Sequence, residues 1–176
     1  DIFSNLGEYL KNHPLMVFNN TQVVPAKIFA LLKEKTVSLI LVQQISHGIW
    51  EVLMRGKMKP GTQLTFHNSS LTGTFIKRNA ERAVIEFSSQ QVLEKYIEEQ
   101  GRMPLPPYIH RKQEDTLLTL EQDRKRYQTV YASQKGAIAA PTAGLHFTKG
   151  QLEKLKCHSN GIANLTLHVG PGTFKP

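Results

Sequence analysis

Two stretches near the end of the chain carry the residue types best suited to chemistry. Ala139-Ala140-Pro141-Thr142-Ala143-Gly144-Leu145-His146-Phe147 runs from an apolar segment through very small residues to a histidine. Leu165-Thr166-Leu167-His168-Val169-Gly170-Pro171-Gly172-Thr173-Phe174 repeats the theme of histidine, glycine and hydroxyl. Small side chains let a ligand approach the main chain closely. Histidine exchanges protons near neutral pH, so His146 and His168 are candidates for proton transfer or for positioning a substrate. Two junctions of one kind point to one shared site. Neither histidine sits in a compact ligand pattern, so no metal is expected. A third polar cluster, Asn19-Asn20-Thr21, follows the apolar run Leu15 to Phe18, where asparagines often only shape a turn. Gly170 to Gly172 reads G-x-G, yet no adjacent helix or suitably placed acid completes a dinucleotide fingerprint.

The elements that must position these residues follow from periodicity. Phe3, Leu6 and Leu10 mark a short amphipathic helix ending near Pro14. Leu15 to Phe18 reads as a buried strand with the asparagines at its C-terminal end. From Val24 to about Ser88 the texture is strand-rich. Trp50, Val52 and Met54 alternate with Glu51, Leu53 and Arg55, and Gln63 to Phe66, Leu71 to Phe75 and Ala83 to Phe87 are further strands. Short strands punctuated by Gly48, Pro60-Gly61, Asn68 and Asn79 imply a small antiparallel barrel inserted into an α/β domain.

Beyond the barrel, Ser88 with Gln91 and Thr119 with Gln122 look like capping-box helix starts. The stiff segment Pro104 to Tyr108 lies between them, followed by a polar linker from Gln113 to Leu118. Ala137 to Ala140, a helix opened by Thr148 and closed at Gly161, and a strand from Ala163 to Val169 have the length of a β-α-β unit. The expected domains are residues 1–23 with 89–176, an α/β domain, and 24–88, the barrel.

Composition narrows the class. The chain has 176 residues, 40% hydrophobic and 20% charged, in the range of ordinary globular proteins. No run approaches a membrane span. One cysteine, Cys157, makes no internal disulfide and fits a reducing compartment, so a cytoplasmic location is expected. The formal charge of +8 favours polyanions such as RNA.

Four blocks resemble the S-adenosylmethionine:tRNA ribosyltransferase-isomerase family of queuosine synthesis. They are Val17 to Thr21, Met103 to Ile109, Tyr127 to Ala132 with Ala139 to Phe147, and Leu167 to Gly170 with Gly172 to Phe174. Gln22 stands where that family usually has arginine, and Pro171 where it has a small non-proline residue. Family members are roughly twice this long, so the chain is expected to be incomplete.

The resemblance implies ribosyl transfer from S-adenosylmethionine to 7-aminomethyl-7-deazaguanine at the tRNA wobble position, with isomerisation to epoxyqueuosine and release of adenine and methionine. S-adenosylmethionine is then a co-substrate, and no prosthetic group is implied. Asn19, Asn20, Pro141, Thr142, Ala143, Gly144, Gly170, Gly172 and Thr173 would hold it, with His168 and His146 as the candidate catalytic pair. Tyr108, Arg124 and Arg126 would meet tRNA, whose binding is expected on basic patches and in a cleft between domains. No membrane partner is expected, and nothing in the residues demands an oligomer, so a monomer is the working expectation. A non-catalytic RNA-binding module and an S-adenosylmethionine-dependent tRNA methyltransferase remain open alternatives at this level.

Overall fold

A computed structural model describes residues 2–80, 82–111 and 116–174. The fold is mixed α/β with a closed antiparallel β-barrel, and the chain divides into two compact units: residues Asp1–Val24 with Leu105–Pro176, and residues Pro25–Pro104.

The second unit is built on the barrel. Its strands are β3 (Lys27–Leu32), β4 (Lys35–Ser46), β5 (Ile49–Met54), β6 (Gln63–Thr65), β7 (Thr72–Asn79) and β8 (Arg82–Phe87), closed in the order β3-β4-β5-β8-β7-β6. Alternation supplies the inside. Ile28, Leu39, Val52, Leu64, Ala83 and Ile85 are fully buried, while polar neighbours face outward. Gly73 is needed for packing, because a Cβ there would lie 3.1 Å from the Ile85 side chain. The β3–β4 hairpin turns tightly, with Leu32 paired to Lys35 and Lys33 at positive φ.

Helix α2 (Gln90–Gln100) packs onto this barrel through Leu93 and Tyr96. The Tyr96 ring lies 5.3 Å from that of Phe66, its hydroxyl donates to the Phe29 carbonyl, and Trp50 Nε1 donates to Gln90 Oε1. The cap of α2 is Ser89 rather than Ser88, whose hydroxyl instead accepts the Thr72 amide of the barrel. Tertiary pairing thus moves the helix start by one residue.

The first unit opens with a 3-10 turn (Phe3–Asn5) and the short helix α1 (Leu6–Tyr9). Strand β1 (Met16–Asn19) pairs in parallel with β10 (Ile162–Leu165), and β2 (Thr21–Val23) pairs in parallel with β9 (Gln134–Ala137). Asn20 joins the two sheets. Its N–H donates to the Leu165 carbonyl, and its own carbonyl accepts from Ser133 and Gln134. Gln128 secures the far end, its amide giving one hydrogen bond to the Val23 carbonyl and accepting one from the Val23 N–H.

Several expectations for this unit need correction. The strands of the expected β-α-β unit do not pair with each other. The first covers Gln134–Ala137 rather than Ala137 to Ala140, and the second ends at Leu165 rather than Val169. β1 buries only Phe18, leaving Leu15 and Val17 exposed, and Leu165 and Leu167 are exposed too. A two-stranded sheet covered on one face has no second interior to fill. Helix α3 (Leu117–Arg126) is capped by Thr116, three residues before the expected Thr119, because Thr116 Oγ1 accepts the Thr119 amide. The expected linker from Gln113 falls partly outside the described residues. Helix α4 (Lys149–Lys156) does carry the Thr148–Gln151 capping box, but it stops before Cys157 and His158.

Ile85→Ala should lower the unfolding free energy of the barrel unit by about 2–5 kcal/mol, because the site is sealed on all sides. Urea unfolding checks this, and a loss under about 0.5 kcal/mol would contradict the described interior.

Candidate functional site

The site grows from the end of β1. The Asn19 side chain acts as a short piece of backbone. Its Nδ2 donates to the Leu167 carbonyl at 2.9 Å, and its Oδ1 accepts the N–H groups of Leu167 at 3.0 Å and Thr21 at 3.2 Å. An amide has the same donor and acceptor as a peptide group, so it can extend a strand pairing where the strand itself has ended. Asn20 adds a second tie, accepting from Thr166 Oγ1 at 2.7 Å. Its Nδ2 has no partner among the described residues. Together the two asparagines hold the segment after β10 in place.

That segment delivers His168. The fully buried Thr21 places Oγ1 2.8 Å from His168 Nδ1. The imidazole lies against the α-carbon of Gly136, which has φ +147, and a Cβ there would come within 2.7 Å of His168 Cε1. Val169 follows with its carbonyl accepting from Ile138 and Ala139. His168 is thus fixed at one edge and one face, yet the residue as a whole is exposed. An imidazole held this way can meet a ligand without first losing rotamer freedom.

The small-residue turn is built differently. Pro141 leads into a 3-10 turn, Thr142–His146, in which the Gly144 amide donates to the Pro141 carbonyl. Gly144 is buried against the Tyr131 hydroxyl and the Thr129 methyl, which occupy the space a Cβ would need. Phe18, Tyr131 and Phe147 form an aromatic cluster beneath it, with Phe18 4.8 Å from Tyr131 and 5.2 Å from Phe147. Thr142 and Ala143 are exposed.

Two hydroxyls in this region, Tyr127 Oη and Thr129 Oγ1, are buried without a hydrogen-bond partner among the described residues. Burial raises the Tyr127 phenol above its ordinary range. The nearby Ala140 backbone opposes part of that rise without meeting hydrogen-bond geometry.

The remaining expected residues scatter. The His146 ring lies 5.4 Å from that of Phe3, tilted by 39°, and no contact ties it to His168 among the described residues. Gly170 and Gly172 have open space where a side chain would sit. Pro171 opens a 3-10 turn (Pro171–Phe174), a position that suits proline, and this turn contains Thr173. Tyr108 is 72% exposed. Arg124 and Arg126 are exposed in the last turn of α3, where cations also favour the helix dipole.

Sequence reasoning missed two features. Gly136 gave no signal, since its need for positive φ depends on a histidine thirty-two residues away. On the barrel, Lys27 and Arg102 both lie over the Phe29 ring, at 5.6 Å and 5.0 Å. Desolvation, and then the Arg102 charge, lower the Lys27 pKa. Lysine and arginine around an aromatic ring suit nucleic acid. No group of three or more His, Cys, Asp or Glu placed to hold a metal occurs among the described residues, and no helix there is long and apolar enough to cross a membrane.

Comparison with known proteins places the chain in a family. The family model described as queuosine biosynthesis protein matches residues 1–176. The chain belongs to this family. It is 42% identical to an S-adenosylmethionine:tRNA ribosyltransferase-isomerase from Halothermothrix orenii, over 99% of this chain and 50% of that protein. It is 40% identical to a protein of the same name from Carboxydothermus hydrogenoformans, over 100% of this chain and 51% of that protein. A solved S-adenosylmethionine tRNA ribosyltransferase from Thermotoga maritima is 27% identical, with a TM-score of 0.39, over 96% of this chain and 45% of that one. The chain therefore spans about half the length of the curated relatives it matches.

Gly136→Ala should disturb this family member locally. The substitution meets both a disfavoured φ and the His168 ring, so it should cost about 1–3 kcal/mol of stability. Gly172→Ala should cost less than about 0.5 kcal/mol. Chemical denaturation of both variants checks the contrast, and equal effects would contradict the placement of His168.

Proposed function

We propose that this chain contributes to transfer and isomerisation of the ribosyl group of S-adenosylmethionine onto 7-aminomethyl-7-deazaguanine in tRNA, releasing adenine and methionine. The observation that carries the proposal is the family match across residues 1–176, together with relatives of that name at about 40% identity. S-adenosylmethionine is the co-substrate, and tRNA carrying the modified base is the acceptor.

The chemistry asks for a neutral amine, a base for a sugar proton near the sulfonium, and donors that ease adenine departure. Holding three partners in register is where much of the rate gain arises. In this reading His168, held by Thr21 and Gly136, faces the substrate. The free Asn20 Nδ2 offers a donor to ribose or base. Pro141 to Gly144 and Gly170 to Gly172 supply small surfaces that admit S-adenosylmethionine closely. His146, packed against the Phe3 ring, is the weaker partner.

Tyr108, Arg124 and Arg126 supply an exposed aromatic ring and cations for RNA, and Lys27 with Arg102 over Phe29 adds a second cationic surface. The net charge of +8 favours the same partner. A cytoplasmic location fits a tRNA substrate.

The test uses a polypeptide of the relatives' full length that contains this chain. It is incubated with substrate tRNA and ribose-labelled S-adenosylmethionine. Labelled tRNA with free adenine and methionine is the expected outcome, with tRNA affinity falling steeply as salt rises. Methylated tRNA with S-adenosylhomocysteine would overturn the reading, as would saturable RNA binding without turnover.

A further inference from the structure

The two histidines enter the proposed reaction without an assigned chemical sense, and the surroundings of His168 supply one. We infer that neutral His168 carries its proton on Nε2 and serves as a hydrogen-bond donor to substrate, with Thr21 as the residue that sets this tautomer. The inference rests on the reading of His168 as a substrate-facing group.

Thr21 is 0% exposed, and its Oγ1 has one hydrogen-bond partner among the described residues, His168 Nδ1 at 2.8 Å. A buried hydroxyl hydrogen without an acceptor is costly. If Nδ1 bore the proton and donated to Oγ1, the threonine hydrogen would be left with no acceptor. The economical arrangement has Thr21 donating and Nδ1 accepting. A neutral imidazole whose Nδ1 accepts must bear its proton on Nε2.

The opposite arrangement is the one that makes a base. A carboxylate beside Nδ1 accepts a hydrogen bond from Nδ1–H, which keeps the proton there and leaves Nε2 with a lone pair. Here the ion pairs among the described residues do not include His168. The ring cannot readily turn over to exchange its edges, because its face lies on the Gly136 α-carbon. The residue is nonetheless exposed, and the Nε2 edge has no partner among the described residues.

Of the tasks in the proposed reaction, departure of adenine is the one that needs a donor. As the bond from ribose to adenine breaks, its electron pair leaves with the purine and charge grows on the ring nitrogens. The Nε2–H of His168 would hydrogen-bond to one of them without transferring its proton, and the departing purine anion takes its proton from solvent to become adenine. Removal of the sugar proton then falls to another group.

The experiment reads the tautomer directly. The 176-residue chain is labelled with ¹⁵N-histidine, and His168 is assigned by the resonances lost in His168→Gln. Long-range ¹⁵N–¹H correlation at a pH where the ring is neutral should show the proton on Nε2 and a hydrogen-bonded Nδ1. Thr21→Ser should keep that pattern, and Thr21→Val should move the Nδ1 resonance toward that of free imidazole. A proton on Nδ1 in the unsubstituted chain, or an unmoved Nδ1 in a folded Thr21→Val, would overturn the assignment.

Turnover in the full-length polypeptide tests the donor role separately. Glutamine keeps a neutral N–H but accepts no proton, so His168→Gln should retain about tenfold more activity than His168→Ala. Equal losses would overturn the donor role. The tautomer is read without turnover, so its failure and the failure of the ribosyl-transfer reading are distinguishable.

Discussion

A strand that changes partners must still pair every buried backbone group, and the first unit is organised around that requirement. The segment from Met16 to Val23 runs beside β10 and then beside β9, and Asn20 is where it crosses over. The Asn20 N–H belongs to one pairing and its carbonyl to the other. Where the strand pairings stop, side-chain amides stand in for peptide groups. Asn19 takes up both backbone groups of Leu167, and Gln128 does the same for Val23. His168 lies one residue beyond the Asn19 clamp, so the same hydrogen bonds that complete the fold also set where the imidazole stands.

This dual role explains why the candidate site was only partly readable from sequence. Asn19, Asn20 and His168 stand out by type and neighbourhood, and the two asparagines bond the segment that leads into His168. The function of the asparagines did not stand out. An amide that binds ribose and one that clamps a loop have the same letter code, and only the partner distinguishes them. Gly136 was invisible for a related reason. Its positive φ and its missing Cβ matter because of a ring brought from elsewhere in the chain. His146, which resembles His168 in its sequence setting, lies instead against the Phe3 ring.

The barrel was more legible, because its information is local. Alternation at Trp50 to Met54 and at Ala83 to Phe87, with turn residues between runs, is enough to imply short antiparallel strands, and closure removes their edges. Helix starts are less legible. Ser88 and Thr119 had suitable spacing, but Ser89 and Thr116 are the caps, since the hydroxyl nearest a free amide in three dimensions takes the role. The exposed Leu165 and Leu167 show the limit of hydrophobic pattern: it identifies a strand face without saying whether anything covers it.

Native-state hydrogen exchange tests the clamp most directly. The amides of Thr21 and Leu167 both donate to Asn19 Oδ1, and that of Asn20 donates across to Leu165. If the asparagine organises this region, Leu167 should be protected although it lies beyond β10, and Asn19→Ala should abolish its protection together with that of Thr21. A Leu167 amide that exchanges as fast as an unstructured one in the unsubstituted chain, or that stays protected in Asn19→Ala, would contradict it.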